Sequence, residues 1–238
     1  MLSVQRFSIM KRVFDLACIA TVAAGFNLNG FVLGDAQTPI TSEIPLSTRN
    51  YWIRKANEAV VIHGKTPCPF AAFGSVIVNH TAGGLGQLVC MGANDVASGN
   101  PTLHGEIAAI NNCSAILADP HGPFRLTGSE AEQAWADLSL YTNAEPCPMC
   151  ASAIRWGGFK ELVFGTSVTF LEKRGWRQIP LSAGELFRYA TSLDTKTTLL
   201  KGILSNETDV YFDWQFDASR PCPKGCARGK IDCQPIDN

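Results

Sequence analysis

Two short stretches constrain this chain more than any other feature: His104-Gly105-Glu106 and, later, Pro146-Cys147-Pro148-Met149-Cys150. Read together they form His-x-Glu…Pro-Cys-x-x-Cys. One imidazole and two thiolates make a three-ligand zinc site, which leaves the fourth tetrahedral position for water. A closed structural site needs a fourth Cys or His, and neither stretch supplies one. Glu106 stands two residues from the histidine, placed to move protons without being a ligand. On an ideal helix His104 and Glu106 lie about 200° apart, so one helical face cannot hold both. The pair works only at a helix N-terminus, where the first turn lets both side chains reach a site beyond its end. Cys147 and Cys150 are expected in the first turn of a second helix, where the macrodipole and the metal both depress thiol pKa.

The flanking patterns give the frame. Ser47-Thr48 offers an N-cap for a helix carrying Tyr51, Trp52, Ala56, Ala59 and Val60, closed by His63-Gly64. Phe73 to Asn79 and Gln87 to Gly92 read as two strands around a glycine-rich hairpin turn, His80 to Gly86. A helix follows Pro101-Thr102. The segment from Ala118 to Gly128 is irregular and long enough to serve as a lid or partner surface. Ser129-x-x-Glu132 reads as a capping box for a short helix to Asp137. Leu138 to Thr142 is a strand, a helix begins at Pro146 and ends at Gly157-Gly158, and Glu161 to Gly165 is a strand. Further helices are expected around Gly184 to Thr191 and Asp209 to Phe216, with a short strand at Lys196 to Leu200. The order of elements gives an α/β domain with helices covering a mixed sheet.

Length and composition narrow the class. At 238 residues, 46% hydrophobic and 17% charged, the chain can bury one good core and carry a tail. Lysine plus arginine (20) nearly balance aspartate plus glutamate (21). The basic excess of a polynucleotide binder is missing, which argues against a nucleic-acid substrate. Met10-Lys11-Arg12 followed by an apolar run has the layout of a signal peptide over 1–36, cleaved after Ala36 or Ala24; the rival is a packed N-terminal helix or membrane anchor. No other stretch has the apolar length of a membrane span. Of nine cysteines, Cys18 lies in that segment and Cys147 and Cys150 go to the metal. Cys68, Cys90, Cys113, Cys222, Cys226 and Cys233 remain, enough for three disulfides with the pairing open. Residues 217–238 read as a Cys/Pro/Gly-rich tail. Sequons begin at Asn79, Asn112 and Asn206, with Asn112 on a packed helix.

The residues from about Phe70 to Gly165 resemble the zinc-dependent cytidine and nucleobase deaminases, closest to the guanine deaminase and tRNA adenosine deaminase branch. The resemblance rests on Phe73-Gly74-Ser75-Val76-Ile77-Val78, Asn94, Pro101-Thr102-Leu103-His104-Gly105-Glu106 and Leu140-Tyr141-Thr142-Asn143-Ala144-Glu145-Pro146-Cys147. Gly105 departs from the alanine usual in that branch. The resemblance implies a three-layer α/β/α cytidine-deaminase-like fold with a mixed central sheet, the domain spanning 47–216 and its core 70–165. It implies Zn2+ on His104, Cys147 and Cys150, and Glu106 as the proton-transferring catalytic residue. It also implies that Asn94 hydrogen-bonds the base edge, that Phe73 stacks on the ring, and that the Gly105 N–H meets a ring carbonyl. The implied reaction replaces an exocyclic amine by a carbonyl with release of ammonia, on a small nucleobase, nucleoside or related heterocycle, in a chain that associates as a homodimer. The acidic residue by which guanine deaminases set specificity has no clear counterpart in 172–178.

Two other functions compete. One is a deaminase of RNA or single-stranded DNA bases, which the charge balance disfavours. The other is a secreted, non-catalytic binding protein that keeps zinc for structure alone, against which Glu106 stands, since a structural metal has no use for that carboxylate. His63, His80 and His121 read as surface or loop histidines, Trp156 as core, and Glu145 as a supporting or helix N-terminal carboxylate.

Overall fold

Helical spacing of Trp52, Ile53, Ala56, Ala59 and Val60 places one face of α1 (Leu46–Gly64) against the sheet. The helix begins after Pro45 without a side-chain cap, and Thr48, expected as a cap, is buried on the packed face instead. The computed structural model describes residues 44–230 and 232–236; the expected signal peptide over 1–36 lies outside them.

The hairpin β1 (Gly74–Asn79) and β2 (Gln87–Ala93) follows. Its turn needs Gly86, whose φ is +83° and whose missing Cβ would lie 2.4 Å from His80 Nδ1. His80 is therefore in a loop, as expected, but buried, its Nε2 2.9 Å from the Tyr141 hydroxyl. Next come α2 (Gly105–Ala118) and α3 (Gly128–Ala134). The capping box of α3 is built by Thr127 and Glu130, not by Ser129 and Glu132: the Thr127 hydroxyl accepts from Glu130 N–H and Glu130 Oε2 accepts from Thr127 N–H. A short 3₁₀ turn at Trp135–Asp137 leads into β3 (Leu138–Ala144), α4 (Pro148–Gly157) and β4 (Glu161–Thr166).

The strand order is β2-β1-β3-β4-β5, with β5 at Thr198–Leu200. The β1–β2 and β1–β3 pairs are antiparallel, while β3–β4 and β4–β5 are parallel, which makes the sheet mixed. Both faces are covered. Val76 and Val78 join the α1 cluster with Trp52, Ile53 and Tyr141. Gly92 pairs with Ser75, on the opposite face, and there abuts the backbone of Ala108 and Ala109 in α2. Central β3 is buried along its whole length, as a strand covered on both faces must be. A buried ion pair, Arg49 to Glu161 at 2.9 Å, joins α1 to the start of β4.

The last third holds α5 (Val168–Lys173), α6 (Ala183–Tyr189) and α7 (Ser205–Thr208). The helix expected over Asp209 to Phe216 is absent beyond a 3₁₀ turn at Asp209–Tyr211. Phe212, Trp214 and Phe216 recur every second residue, a spacing one helical face cannot hold. Phe212 and Trp214 are buried, and Gln215 Nε2 donates to Phe70 O and Tyr211 O, replacing helical bonds. The six remaining cysteines pair as Cys68–Cys226, Cys90–Cys113 and Cys222–Cys233. Two of these staple the tail hairpin, β6 (Cys226–Arg228) and β7 (Cys233–Pro235), beside Trp214. No helix among the described residues is long and apolar enough to cross a membrane.

Candidate metal centre

Two helix starts converge. His104 is the N-cap of α2 and Cys147 the N-cap of α4; both have extended backbone (ψ 164° and 165°), and neither makes a side-chain capping bond. Their carbonyls accept the first helical N–H groups, from Ala108 and Ala151 at 2.8 Å each. Their side chains are thus free to face a common point. Cys150, in the first turn of α4, completes the set. One ligand atom from each of His104, Cys147 and Cys150 lies within 4.8 Å of the others.

The set fits zinc. Bond lengths of about 2.3 Å to sulfur and 2.05 Å to nitrogen, at a tetrahedral angle, put those two ligands about 3.6 Å apart. His104 Nδ1 and Cys147 Sγ are 3.5 Å apart. Glu106 is buried on the same helix start. Burial lifts its carboxyl to about 7. Hydrogen bonds from Cys150 and His104 pull Cys147 down to about 4. The Cys150 thiol is raised, first by its hydrogen bond to Cys147 and then by burial, and His104 is raised by its bond to Cys147. Cys147 and His104 thus shift in opposite directions through their mutual contact, and a metal bound there would displace the protons of its ligands.

The three residues expected at the substrate meet through one peptide unit. Asn94 N–H donates to Phe73 O at 2.8 Å. A Cβ on Gly105 would lie 2.7 Å from that same oxygen, which is why glycine stands there. The Phe73 ring is half-buried, with Phe212 (centroids 4.8 Å apart) and Trp176 (5.3 Å, edge-on) against it. Much of the ring surface expected to face a substrate is thus already in contact with protein.

Sequence reasoning missed the Asn143 amide. It is fully buried, accepts from Gly74 N–H and donates to Ala72 O and Asn57 Oδ1. An asparagine inside a central strand, where that residue is depleted, was the available signal. Glu145 is a helix N-terminal carboxylate, but for α5 and α6: its oxygens accept from Val168 N–H (2.9 Å) and Ala183 N–H (3.0 Å). Trp156 is not core. It is 76% exposed, because α4 turns Ile154 and Arg155 inward there.

The guanine deaminase of Bacillus subtilis is 33% identical over 105 residues, 44% of this chain and 56% of that protein. The cytosine deaminase of Candida albicans is 34% identical over 99 residues, 41% of this chain and 54% of that protein. The chain spans about half the length of the curated relatives it matches. A solved structure of an NE0047 variant in complex with 8-azaguanine shares the fold at 21% identity and a TM-score of 0.50, covering 70% of this chain and 83% of that one. Residues 46–166, just over half of the chain, match the cytidine and deoxycytidylate deaminase zinc-binding region, and the chain belongs to that family.

Proposed function

We propose that the protein is a zinc-dependent aminohydrolase: a ring carbon bearing an exocyclic amine exchanges it for oxygen, taking up one water and releasing one ammonia. The observation that carries this reading is a buried carboxylate, Glu106, two residues from His104 in a convergent His/Cys/Cys set. Zinc held by His104 Nδ1 and the two thiolates would supply the Lewis acidity that activates water at neutral pH. Glu106 takes one proton from the attacking water and gives it to a ring nitrogen, then takes the remaining proton from the added hydroxyl and gives it to the amine, so that the C–N bond breaks and ammonia leaves as the carbonyl forms. Asn94 and the Gly105 N–H orient the ring, and the part of the Phe73 ring that Phe212 and Trp176 leave uncovered packs on it.

The substrate is a free base or nucleoside. The near-even charge balance supports this choice, as do two relatives whose names are those of free-base deaminases. The test combines metal analysis with an ammonia-release screen over bases, nucleosides and oligonucleotides. One zinc per chain and release from a base or nucleoside are expected; release from oligonucleotides alone overturns the small-substrate reading. Glu106→Gln is expected to keep the zinc and lose about 10²–10⁴-fold in turnover; unchanged ammonia release refutes the assignment.

We also read the protein as secretory. Three disulfides suit an oxidising compartment. Asn206 is the one exposed sequon asparagine without a side-chain tie: Asn79 is buried, and Asn112 Nδ2 donates to Met91 O at 2.8 Å. A single glycan at Asn206 is expected on protein from a secreting eukaryotic cell, read as a mass loss on enzymatic deglycosylation. Association as a homodimer completes the reading; sedimentation as a monomer overturns that part.

A further inference from the structure

The two halves of the site come from different parts of the chain. His104, Gly105, Glu106 and Asn94 lie around the start of α2, while Cys147 and Cys150 follow β3. Backbone pairing between β1 and β3 ends at Ser75↔Thr142. One step further the ladder is continued by a side chain. Asn143 Oδ1 accepts from Gly74 N–H at 3.0 Å, and its Nδ2 donates to Ala72 O at 2.7 Å and to Asn57 Oδ1 at 3.1 Å. A single amide thus grips the peptide units on both sides of Phe73. The opposite end of the Phe73–Gly74 unit, Phe73 O, accepts from Asn94 N–H and lies in the space left by the missing Cβ of Gly105.

We propose that Asn143 is a positioning residue. It fixes the two peptide units around Phe73 against the end of β3, and so sets where the Phe73 ring, and a substrate ring against it, sit relative to the metal. The role needs an acceptor and two donors in one plane, which asparagine supplies; aspartate lacks the donors and serine has one. Deep burial keeps water from substituting for these bonds, since the side chain is fully enclosed. The proposal rests on the aminohydrolase reading for its consequence in catalysis but not for its geometry.

The test is Asn143→Ala in the full chain, with Asn143→Ser as a second variant should the first fail to fold. Amide hydrogen exchange at Gly74 and Asn94 is expected to speed up at least tenfold, with Val76 and Val78 unchanged. Zinc stays at one per chain, and the absorption bands of the cobalt-substituted protein do not move. KM for the substrate found in the screen rises at least tenfold, while kcat falls less. Asn57→Ala, which removes the outer contact alone, leaves exchange at Gly74 and KM within twofold. Uniformly faster exchange with unchanged KM, or loss of zinc in step with activity, overturns the proposal. The exchange readout holds even for a chain that releases no ammonia, so failure here and failure of the aminohydrolase reading are told apart.

Discussion

Gly92→Ala adds one methyl group where strand and helix backbones touch. The new Cβ would lie 2.2 Å from Ala109 N, 2.6 Å from Ala108 C and 2.8 Å from Ala109 Cα. Ordinary contact begins near 3.4 Å, so α2 must retreat by about 1.2 Å. It cannot do so freely. The Cys90–Cys113 bond and the hydrogen bond from Asn112 to Met91 O both tie that helix to β2. Overpacking typically costs about 1–3 kcal/mol, and rigid backbone on both sides puts this case at the upper end, about 3 kcal/mol. For a domain of this size that lowers Tm by about 6–12 °C. Gly128→Ala is the control: its Cβ meets nothing within 4 Å at the first position of α3, so stability is unchanged or rises by up to about 1 kcal/mol. Urea and thermal unfolding of both variants, with zinc content measured alongside, decide the matter. A Gly92→Ala protein within about 0.5 kcal/mol of wild type refutes the close-packing argument.

Three other outcomes are expected. Arg49→Met leaves the buried Glu161 carboxylate without its cation and lowers the unfolding free energy by about 3 kcal/mol, while Arg49→Met with Glu161→Leu recovers most of it; urea midpoints of the three proteins measure this. Burial, with the Lys160 and Arg49 charges nearby, pushes His80 down to about 4, so the fold holds it neutral. That contribution is complete above the unfolded pKa of about 6.5 and is lost as pH falls toward 4, at most about 3 kcal/mol in all; His80→Gln should flatten the acid slope of the urea midpoint by that amount, and an unchanged slope contradicts it. Replacing Cys90 and Cys113 together by alanine opens a loop of sequence separation 23 and costs about 3 kcal/mol, read by chemical denaturation of the oxidised protein.

The sheet and both helix starts were legible because their signals are local. Alternating and continuous apolar runs marked β1, β2, β3 and β4, and the 200° separation of His104 and Glu106 required a helix end. What stayed hidden depends on distant neighbours. Ser129-x-x-Glu132 and Thr127-x-x-Glu130 are equally good boxes on paper, and only the chain path of the preceding loop selects the second. Residues 209–216 are mostly weak helix formers, and Phe70, Phe73 and Trp176 draw Phe212 and Phe216 into an aromatic cluster, so propensity and packing both work against the expected helix. The disulfide partners are set by tertiary proximity, which spacing does not encode. Asn143 was quoted in a motif without a role, because its three partners come from α1, the 70s loop and the start of β1.

The distribution of sulfur carries a consequence for how the molecule matures. Among the described residues six cysteines are cross-linked, and Cys147 and Cys150 remain thiols, close neighbours at one helix start. In an oxidising compartment, such as the secretory reading proposes, a fourth bridge between these two would use up both of the thiolates proposed to hold the metal. On that reading, capture of the metal would have to outrun oxidation, which would make the order of the two events, not merely their completion, a condition for a working site.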